Sequence, residues 1–183
     1  MNYLLEGEET ERLKFRLLKK EDFNDWLPLF KVDKVADFLA FDPSLSPEEL
    51  CEAWFEKIFY RYENGLGGMN VLVDKQTNRL VGQCGLLIQT VEDKQRLEIG
   101  YSILPEFWQK GYASEAAQKC KDFAFENDLW DSLISMIHVD NIGSEKVAIK
   151  NGMSLEKTLE DYKGCPANIF RIDKEEWLLQ RSK

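Results

Sequence analysis

The feature that most constrains the fold is a change of periodicity around Pro105. Residues 96–104 (RLEIGYSIL) alternate as a strand does, whereas Ala116, Cys120 and Phe123 recur at the spacing of a helix. Because proline has no N–H to give to a sheet, Pro105 predicts that the strand leaves the sheet at this point. The sequence therefore predicts a strand, a loop and an amphipathic helix in direct succession.

The loop between these two elements, residues 105–115 (PEFWQKGYASE), has the features of an anion site. The N–H groups in the first turn of a helix have no intrahelical acceptor, and Gly111 with small neighbours allows a ligand to approach them. A diphosphate would satisfy these groups. The alternative is an ordinary connection in which Gly111 only permits a tight turn. The G-x-G-x-x-G and G-x-x-x-x-G-K-[ST] phosphate motifs do not occur.

The rest of the chain alternates between strand and helix patterns without a repeat or a low-complexity linker. Ser46-Pro47-Glu48-Glu49 is typical of a helix start, and Gly152 of a helix end. We expect an α/β (α+β) fold with one domain over residues 1–183. The predicted strands are 13–18, 69–73, 80–90, 95–104 and 133–139, and the predicted helices are 20–30, 32–41, 47–63, one after Gly111, and 143–151.

Composition excludes several classes of protein. The chain has 183 residues and a net charge of −9, of which residues 1–66 carry −6, with 9 basic and 15 acidic side chains. This sign argues against a nucleic-acid partner, and the lack of a long apolar run or a leader peptide argues against a membrane and predicts a cytoplasmic protein. The acidic excess either keeps the protein soluble or favours a cationic substrate. The four cysteines are scattered and His138 is the sole histidine, so no metal site is expected.

Three separated motifs resemble the GNAT superfamily of acyl-CoA N-acyltransferases, in the order typical of that family. They are residues 98–117 (EIGYSILPEFWQKGYASEAA), residues 138–144 (HVDNIGS) and residues 150–153 (KNGM). Within the superfamily, the chain looks most like the branch of the RimJ and RimL ribosomal-protein N-terminal acetyltransferases. The resemblance implies a central mixed, mostly antiparallel sheet flanked by helices, with a V-shaped opening between its two central strands.

The resemblance also implies how acetyl-CoA would bind. The backbone of Ile103 and Leu104 would pair with the pantetheine arm, with Asn141 contributing to the same arm. The pyrophosphate would lie on backbone amides of the loop, namely those of Gln109, Lys110, Gly111, Tyr112, Ala113 and Ser114. The Lys110 side chain either adds charge at a phosphate or is a solvated loop lysine. The family usually has Gln or Arg where this chain has Trp108, and the ring of Trp108 either packs or contacts the cofactor.

The catalytic candidates are Glu98 as general base and Ser144 as general acid. Glu98 matches the position at which some family members carry a base, although it could instead pair with Arg96 or a neighbouring lysine. Ser144 is the proposed acid of the RimJ and RimL branch, and many other members use a tyrosine at the position of Ala148. Asn141 and Ser144 are alternatively simple helix caps. His138 is expected to make a structural hydrogen bond, whereas Tyr101 and Tyr162 could face the cleft.

These patterns predict an N-acetyltransferase that passes an acetyl group from acetyl-CoA directly to a primary amine. The acceptor is either a protein N-terminus or a small amine, and exposed strand edges leave a homodimer open. The alternative is a catalytically inactive module that binds acyl-CoA as a sensor or scaffold. Cofactor binding without turnover would favour the module.

Overall fold

A mixed sheet of seven strands runs through the protein, in a computed structural model that describes residues 2–182. The strands are β1 (Leu13–Arg16), β2 (Gly67–Asp74), β3 (Leu80–Val91), β4 (Lys94–Ile103), β5 (Ser132–His138), β6 (Ser154–Tyr162) and β7 (Cys165–Asp173). Their spatial order is β1-β2-β3-β4-β5-β7-β6. Within the described residues β4 and β5 are parallel, and the other neighbours are antiparallel. The predicted mixed, mostly antiparallel sheet is confirmed.

Helices cover both faces of the sheet. They are α1 (Phe23–Trp26), α2 (Val35–Phe38), α3 (Pro47–Glu63), α4 (Tyr112–Glu126), α5 (Ile142–Lys150) and α6 (Lys174–Arg181). Adjacent β3 residues identify the faces, because successive strand side chains point in opposite directions. The Gln83 Oε1 accepts a hydrogen bond from the Trp54 indole on α3, whereas Cys84 Sγ lies 3.5 Å from Cys120 Sγ on α4. The helices α3 and α4 therefore pack on opposite faces.

The strongest local signals predicted their elements correctly. Ser46 caps α3, since its Oγ accepts from the Glu49 N–H at 3.3 Å while the Glu49 carboxylate accepts from the Ser46 N–H at 2.8 Å. Gly152 follows α5 with φ +83°, a left-handed conformation that costs glycine little. Both boundaries follow from the residues alone.

The segment before α3 differs from its prediction. Two helices were expected over residues 20–30 and 32–41, but the structure has only the short α1 and α2, separated by a 3₁₀ turn, Leu27–Lys31. Pro28 lies inside the first predicted helix, where it lacks an N–H and its ring would clash with the preceding turn. The apolar spacing predicted buried residues correctly, for example Trp26 and Phe30. Within residues 2–182, no helix combines the length and the apolar character needed to cross a membrane.

The sheet opens between β4 and β5. These strands pair only at Leu97 with Leu133 and at Glu98 with Ile134, after which β5 continues its pairing with β7 alone. The remainder of β4, up to Ile103, pairs with β3 on its other side. One edge of β4 thus faces a V-shaped opening, as the sequence motifs led us to expect.

Candidate active site

One wall of the opening is the free edge of β4. The Leu104 N–H donates to the Val81 carbonyl on the β3 side. Because bonded and non-bonded pairs alternate along an antiparallel ladder, the N–H and C=O groups of Ile103 and Tyr101 point the other way, into the opening. The next group in this series, the Ile99 carbonyl, accepts a hydrogen bond from the Ser135 hydroxyl of β5 at 2.9 Å. The opening therefore begins just beyond Ile99.

Trp108 is bound to this wall. Its indole Nε1 donates to the Ile103 carbonyl at 2.7 Å, and the residue is 47% exposed. The Leu104 backbone, in contrast, is used within the fold, since its carbonyl accepts from the Phe107 N–H at 2.9 Å. Of the two residues expected to offer backbone groups to the pantetheine arm, Ile103 retains an N–H directed into the opening and Leu104 does not. Tyr101 takes the place of Leu104 on this edge.

At the end of β4 the chain turns sharply into α4. Pro105–Phe107 forms a 3₁₀ turn, and Gln109 and Gly111 have left-handed φ values of +60° and +82°. The first helical hydrogen bond runs from the Glu115 N–H to the Gly111 carbonyl at 3.1 Å. The N–H groups of Tyr112, Ala113 and Ser114 therefore have no helical acceptor and meet the positive end of the helix dipole. This is the arrangement that an anion needs.

The segment before β1 holds this loop in place. The Arg12 Nη1 donates to the Lys110 carbonyl at 2.9 Å, and the Arg12 Nε donates to the Glu115 Oε2 at 2.6 Å. The Glu115 Oε1 accepts from the Thr10 hydroxyl at 2.5 Å and from the Arg12 N–H at 2.9 Å. Burial raises the pKa of Glu115, but the hydrogen bonds from Thr10 and Arg12 hold it below its usual value. The Lys110 ammonium lies 5.3 Å from the centroid of the Phe107 ring.

The second wall of the opening is the start of α5. Asn141 is the cap of this helix, since its Oδ1 accepts from the Ser144 N–H at 3.1 Å, and the helix begins one residue earlier than predicted, at Ile142. The Tyr101 hydroxyl crosses from β4 and donates to the Ser144 carbonyl at 2.7 Å. Burial raises the pKa of Tyr101, so its hydroxyl keeps its proton. Both backbone groups of Ser144 are thus bonded, and among residues 2–182 its hydroxyl has no partner.

Glu98 lies at the point where β4 and β5 separate. Its Oε2 accepts from the Gln89 Nε2 at 2.6 Å, and its Oε1 lies 3.4 Å from the Met136 N–H of β5. The alternative pairing with Arg96 is wrong, because Arg96 binds Glu156 of β6 at 2.6 Å. Two neutral donors therefore position the Glu98 carboxylate, which forms no ion pair among the described residues.

Glu98 and Tyr101 lie on opposite faces of the sheet. Tyr101 is paired with Cys84, which faces α4, so Tyr101 reaches the α4 face and its contact with α5. Glu98 is three residues away along β4 and points toward α3. The opening thus has a carboxylate on the α3 face and the Ser144 hydroxyl with Tyr101 on the α4 face. An acceptor amine and an acyl thioester that entered from opposite faces would each meet one proton-transferring group.

His138 and Tyr162 lie near the α3 face. The His138 Nδ1 accepts from the Asp140 N–H at 3.1 Å, which matches the structural role expected for it, and its ring is 5.4 Å from that of Phe38. The Tyr162 hydroxyl is shielded from solvent and has no hydrogen-bond partner among the described residues. Arg12, Thr10 and Glu115 were not identified from the sequence. A contact across more than a hundred residues leaves no local pattern in the sequence.

Comparison with known proteins identifies the family of this chain. The model of the acetyltransferase (GNAT) domain matches residues 12–154. An uncharacterized protein of Bacillus subtilis, YkkB, is 30% identical over 84% of this chain and 88% of its own length. Among solved structures, the spermidine N-acetyltransferase of Vibrio cholerae in complex with CoA and spermine has a TM-score of 0.70 at 19% identity, covering 92% and 99% of the two chains.

RimL, the ribosomal L7/L12 alpha-N-protein acetyltransferase in complex with coenzyme A, has a TM-score of 0.69 at 18% identity, covering 91% of this chain and 97% of its own. These structural likenesses show the shared fold. The family match, over most of the chain, shows more: the protein is an acetyltransferase, and no observation supports the alternative of an inactive module. The chain belongs to the GNAT acetyltransferase family, whose members transfer acetyl groups from acetyl-CoA to amines.

Proposed function

We propose that this protein transfers an acetyl group from acetyl-CoA directly to a primary amine, without a covalent enzyme intermediate. The observation that carries the proposal is the opening between β4 and β5, which has unpaired backbone groups on one wall and free helix amides at its end. A site that holds the two substrates side by side makes their reaction effectively unimolecular. RimL and spermidine N-acetyltransferase illustrate two acceptor types, a protein N-terminus and a polyamine.

The residues present fit acetyl-CoA, which supplies an activated acetyl group when bound. The N–H groups of Tyr112, Ala113 and Ser114, with the amides of residues 109–111, would hold the pyrophosphate. Arg12 binds the Lys110 carbonyl and so holds this oxygen away from the anion. The anion would then meet amide groups instead of carbonyl oxygens. Along the arm, the Ile103 N–H and the Tyr101 backbone would pair with amides of pantetheine, and the Asn141 side-chain Nδ2 would approach from α5. The exposed Lys110 and Trp108 would flank the cofactor at the surface.

Glu98 would act as the general base. Its fixed carboxylate lies on the α3 face, where the acceptor would enter, and it would take a proton from the ammonium group directly or through a water. The Tyr101 N–H on the β4 edge would stabilise the oxyanion that forms on the acetyl carbonyl, which leaves the Ile103 N–H for the pantetheine arm. Both groups are positioned by the sheet and its neighbours.

Ser144 would return a proton to the departing thiolate. Its hydroxyl has no partner among the described residues, whereas its backbone is held by Asn141 and Tyr101. Tyr101 uses its own proton for the Ser144 carbonyl, so we assign it a positioning role. Ala148 is completely buried in the next turn of α5 and offers no hydroxyl. The similarity to RimL in fold, together with Trp108, supports the RimJ and RimL branch as our proposal for the subfamily.

The test is release of CoA thiol from acetyl-CoA in the presence of a panel of amines: peptides with free N-termini, polyamines, amino sugars and amino acids. We expect thiol release that depends on one class of amine and is accompanied by the acetylated product in mass spectrometry. Glu98→Gln should abolish most of this turnover, whereas Glu160→Gln, an exposed strand carboxylate on β6, should not. Binding of acetyl-CoA with no turnover on any amine would contradict the proposal and favour a binding module, and no binding would contradict both.

A further inference from the structure

A cleft of about 620 Å³ opens on the α3 face of the sheet. Its walls are the segment around α2, the end of β5 and the turn between β6 and β7. Phe38, Phe41, His138 and Lys163 are among the side chains that line it. Phe41 also packs against Trp54 of α3, with ring centroids 6.3 Å apart, which ties the cleft to the face toward which Glu98 points. The cleft has the size of a site for a small molecule.

Lys57 of α3 lies behind Phe41. Its ammonium is 5.1 Å from the centroid of the Phe41 ring, and the residue is half-buried. Among residues 2–182 it forms no ion pair with any carboxylate. Burial lowers the pKa of Lys57, repulsion from Lys163 lowers it further, and only Glu98 acts to raise it. A half-buried ammonium without an anion beside it is unusual, because an uncompensated charge is costly away from water.

Other hydrogen-bond donors around Lys57 also lack acceptors. Arg61, one helical turn later, gives its Nη2 to the Leu66 and Ile88 carbonyls at 2.8 and 2.7 Å, but its Nε is shielded and unpartnered among the described residues. The Tyr162 hydroxyl is likewise shielded from solvent and unpartnered among the described residues. The Lys163 ammonium lies 5.0 Å from the centroid of the Tyr162 ring. Buried polar groups normally have partners.

The acceptor groups on this face do not match these donors. Both carboxylate oxygens of Glu98 already face donors, from Gln89 and Met136. Five charged side chains line the cleft, Asp37, Asp42, Asp140, Lys34 and Lys163; all five are solvent-exposed, and Asp42 accepts from the Ser44 N–H. Salt and water screen such exposed charges more than half-buried ones. The less exposed part of this face therefore has an excess of donors and of positive charge.

We propose that the acceptor is a small amine that also carries a carboxylate, and that Lys57 binds this carboxylate with Lys163 at the rim of the cleft. The amine of such a molecule would then lie toward Glu98. The pyrophosphate of acetyl-CoA is not an alternative occupant, because its proposed amides are at the start of α4, on the other face of the sheet. The inference rests on the proposed acetyl transfer and specifies the chemical class of the acceptor. It differs from the cationic acceptor that the acidic excess in residues 1–66 favours.

The experiment compares acceptors that differ only in the carboxylate. Purified full-length protein is assayed with each of the common amino acids and with the matching carboxamide, and kcat/KM is corrected for the fraction of neutral amine. We expect the best amino acid to exceed its amide by about tenfold or more, as a charge-assisted contact predicts. Lys57→Gln should remove most of this preference, because kcat/KM should fall far more for the amino acid than for its amide.

Two further variants keep the test decisive. Lys163→Gln changes an exposed side chain in a turn, so it should fold even where Lys57→Gln does not, and it should lower the preference in the same direction. Lys14→Gln, on the edge strand β1, is the matched control and should leave the preference intact. Turnover that favours a polyamine, a peptide N-terminus or the amides would overturn the inference while leaving acetyl transfer in place. A lack of turnover on every amine would instead contradict the proposed function.

Discussion

The two halves of the candidate site differ in how completely their polar groups are bonded within the protein. At the start of α4, Arg12, Thr10 and Glu115 bind one another and the Lys110 carbonyl, and what stays free is a row of backbone N–H groups. On the α3 face, the Arg61 Nε and the Tyr162 hydroxyl have no partner within the described residues, and Lys57 has no anion.

Under the proposed function, the start of α4 would bind the pyrophosphate and the α3 face would bind the acceptor; we call them the cofactor half and the acceptor half. Backbone amides would hold the pyrophosphate, so the side chains there can fix the loop and be satisfied without the ligand. Side chains would recognise the acceptor, and they would stay unsatisfied until it binds. Substitutions should therefore alter acetyl-CoA affinity in the first half and acceptor turnover in the second, with little effect across the boundary.

The largest effect is expected at Glu98, which belongs to the acceptor half. Glu98→Gln keeps the shape and can still bond to Gln89, but it removes the base, and kcat should fall by about 10²- to 10⁴-fold. The Kd for acetyl-CoA, measured by calorimetry, should not change. If acetyl-CoA binding weakened as much as turnover, Glu98 would contribute to both halves of the site, and the distinction between them would fail.

In the cofactor half, Glu115→Gln should destabilise the fold. It replaces a carboxylate that accepts from Thr10 and Arg12, and we expect a loss of about 2 kcal/mol in the free energy of unfolding at neutral pH. Because the folded-state pKa of Glu115 is below its unfolded value, this stabilisation is complete above the unfolded pKa and is lost as pH falls through the folded one. The difference between the variant and the parent should accordingly shrink below about pH 4.5. Urea unfolding at several pH values measures it, and a difference that grew in acid would contradict the assignment.

Gly111 and Gly164 allow a matched comparison of the halves. Both have left-handed backbones, with φ of +82° and +89°, so an alanine at either costs about 1 to 2 kcal/mol of strain. An added Cβ at Gly111 would lie 3.4 Å from the Arg12 Nη2, whereas at Gly164 it would meet nothing within 4 Å. We expect Gly111→Ala to raise the Kd for acetyl-CoA several-fold and Gly164→Ala, at the rim of the acceptor cleft, to leave it unchanged. Equal effects on that Kd would show that strain alone, and not the loop, is responsible.

The same contrast explains which parts of the molecule the sequence could predict. Ser46, Pro105 and Gly111 act through their own backbone neighbours, so the start of α3, the end of β4 and the turn into α4 were all predicted from local patterns. Arg12 reaches Glu115 across 103 positions, and Lys57 meets Phe41 only because of the path of the chain around α2. Contacts of this kind depend on tertiary packing, and periodicity carries no trace of them. The pattern over residues 20–41 failed for a related reason, since burial of Trp26 and Phe30 gives the same apolar spacing in short turns as in a helix.

The smallest effect is expected at Ser144, which we propose as the general acid. A thiolate is a stable leaving group near neutral pH and can take its proton from water after it departs, so the transition state gains little from an acid. Ser144→Ala should therefore lower kcat by less than about tenfold, with the Kd for acetyl-CoA unchanged. Tyr101→Phe, which removes only the hydrogen bond to the Ser144 carbonyl, should lower kcat by no more than Ser144→Ala, and the double variant should be no worse than Ser144→Ala alone, because the tyrosine acts through the serine. If the two losses multiplied, Tyr101 would be acting on the substrate independently, and the proton donor on the α4 face would have to be reassigned to it.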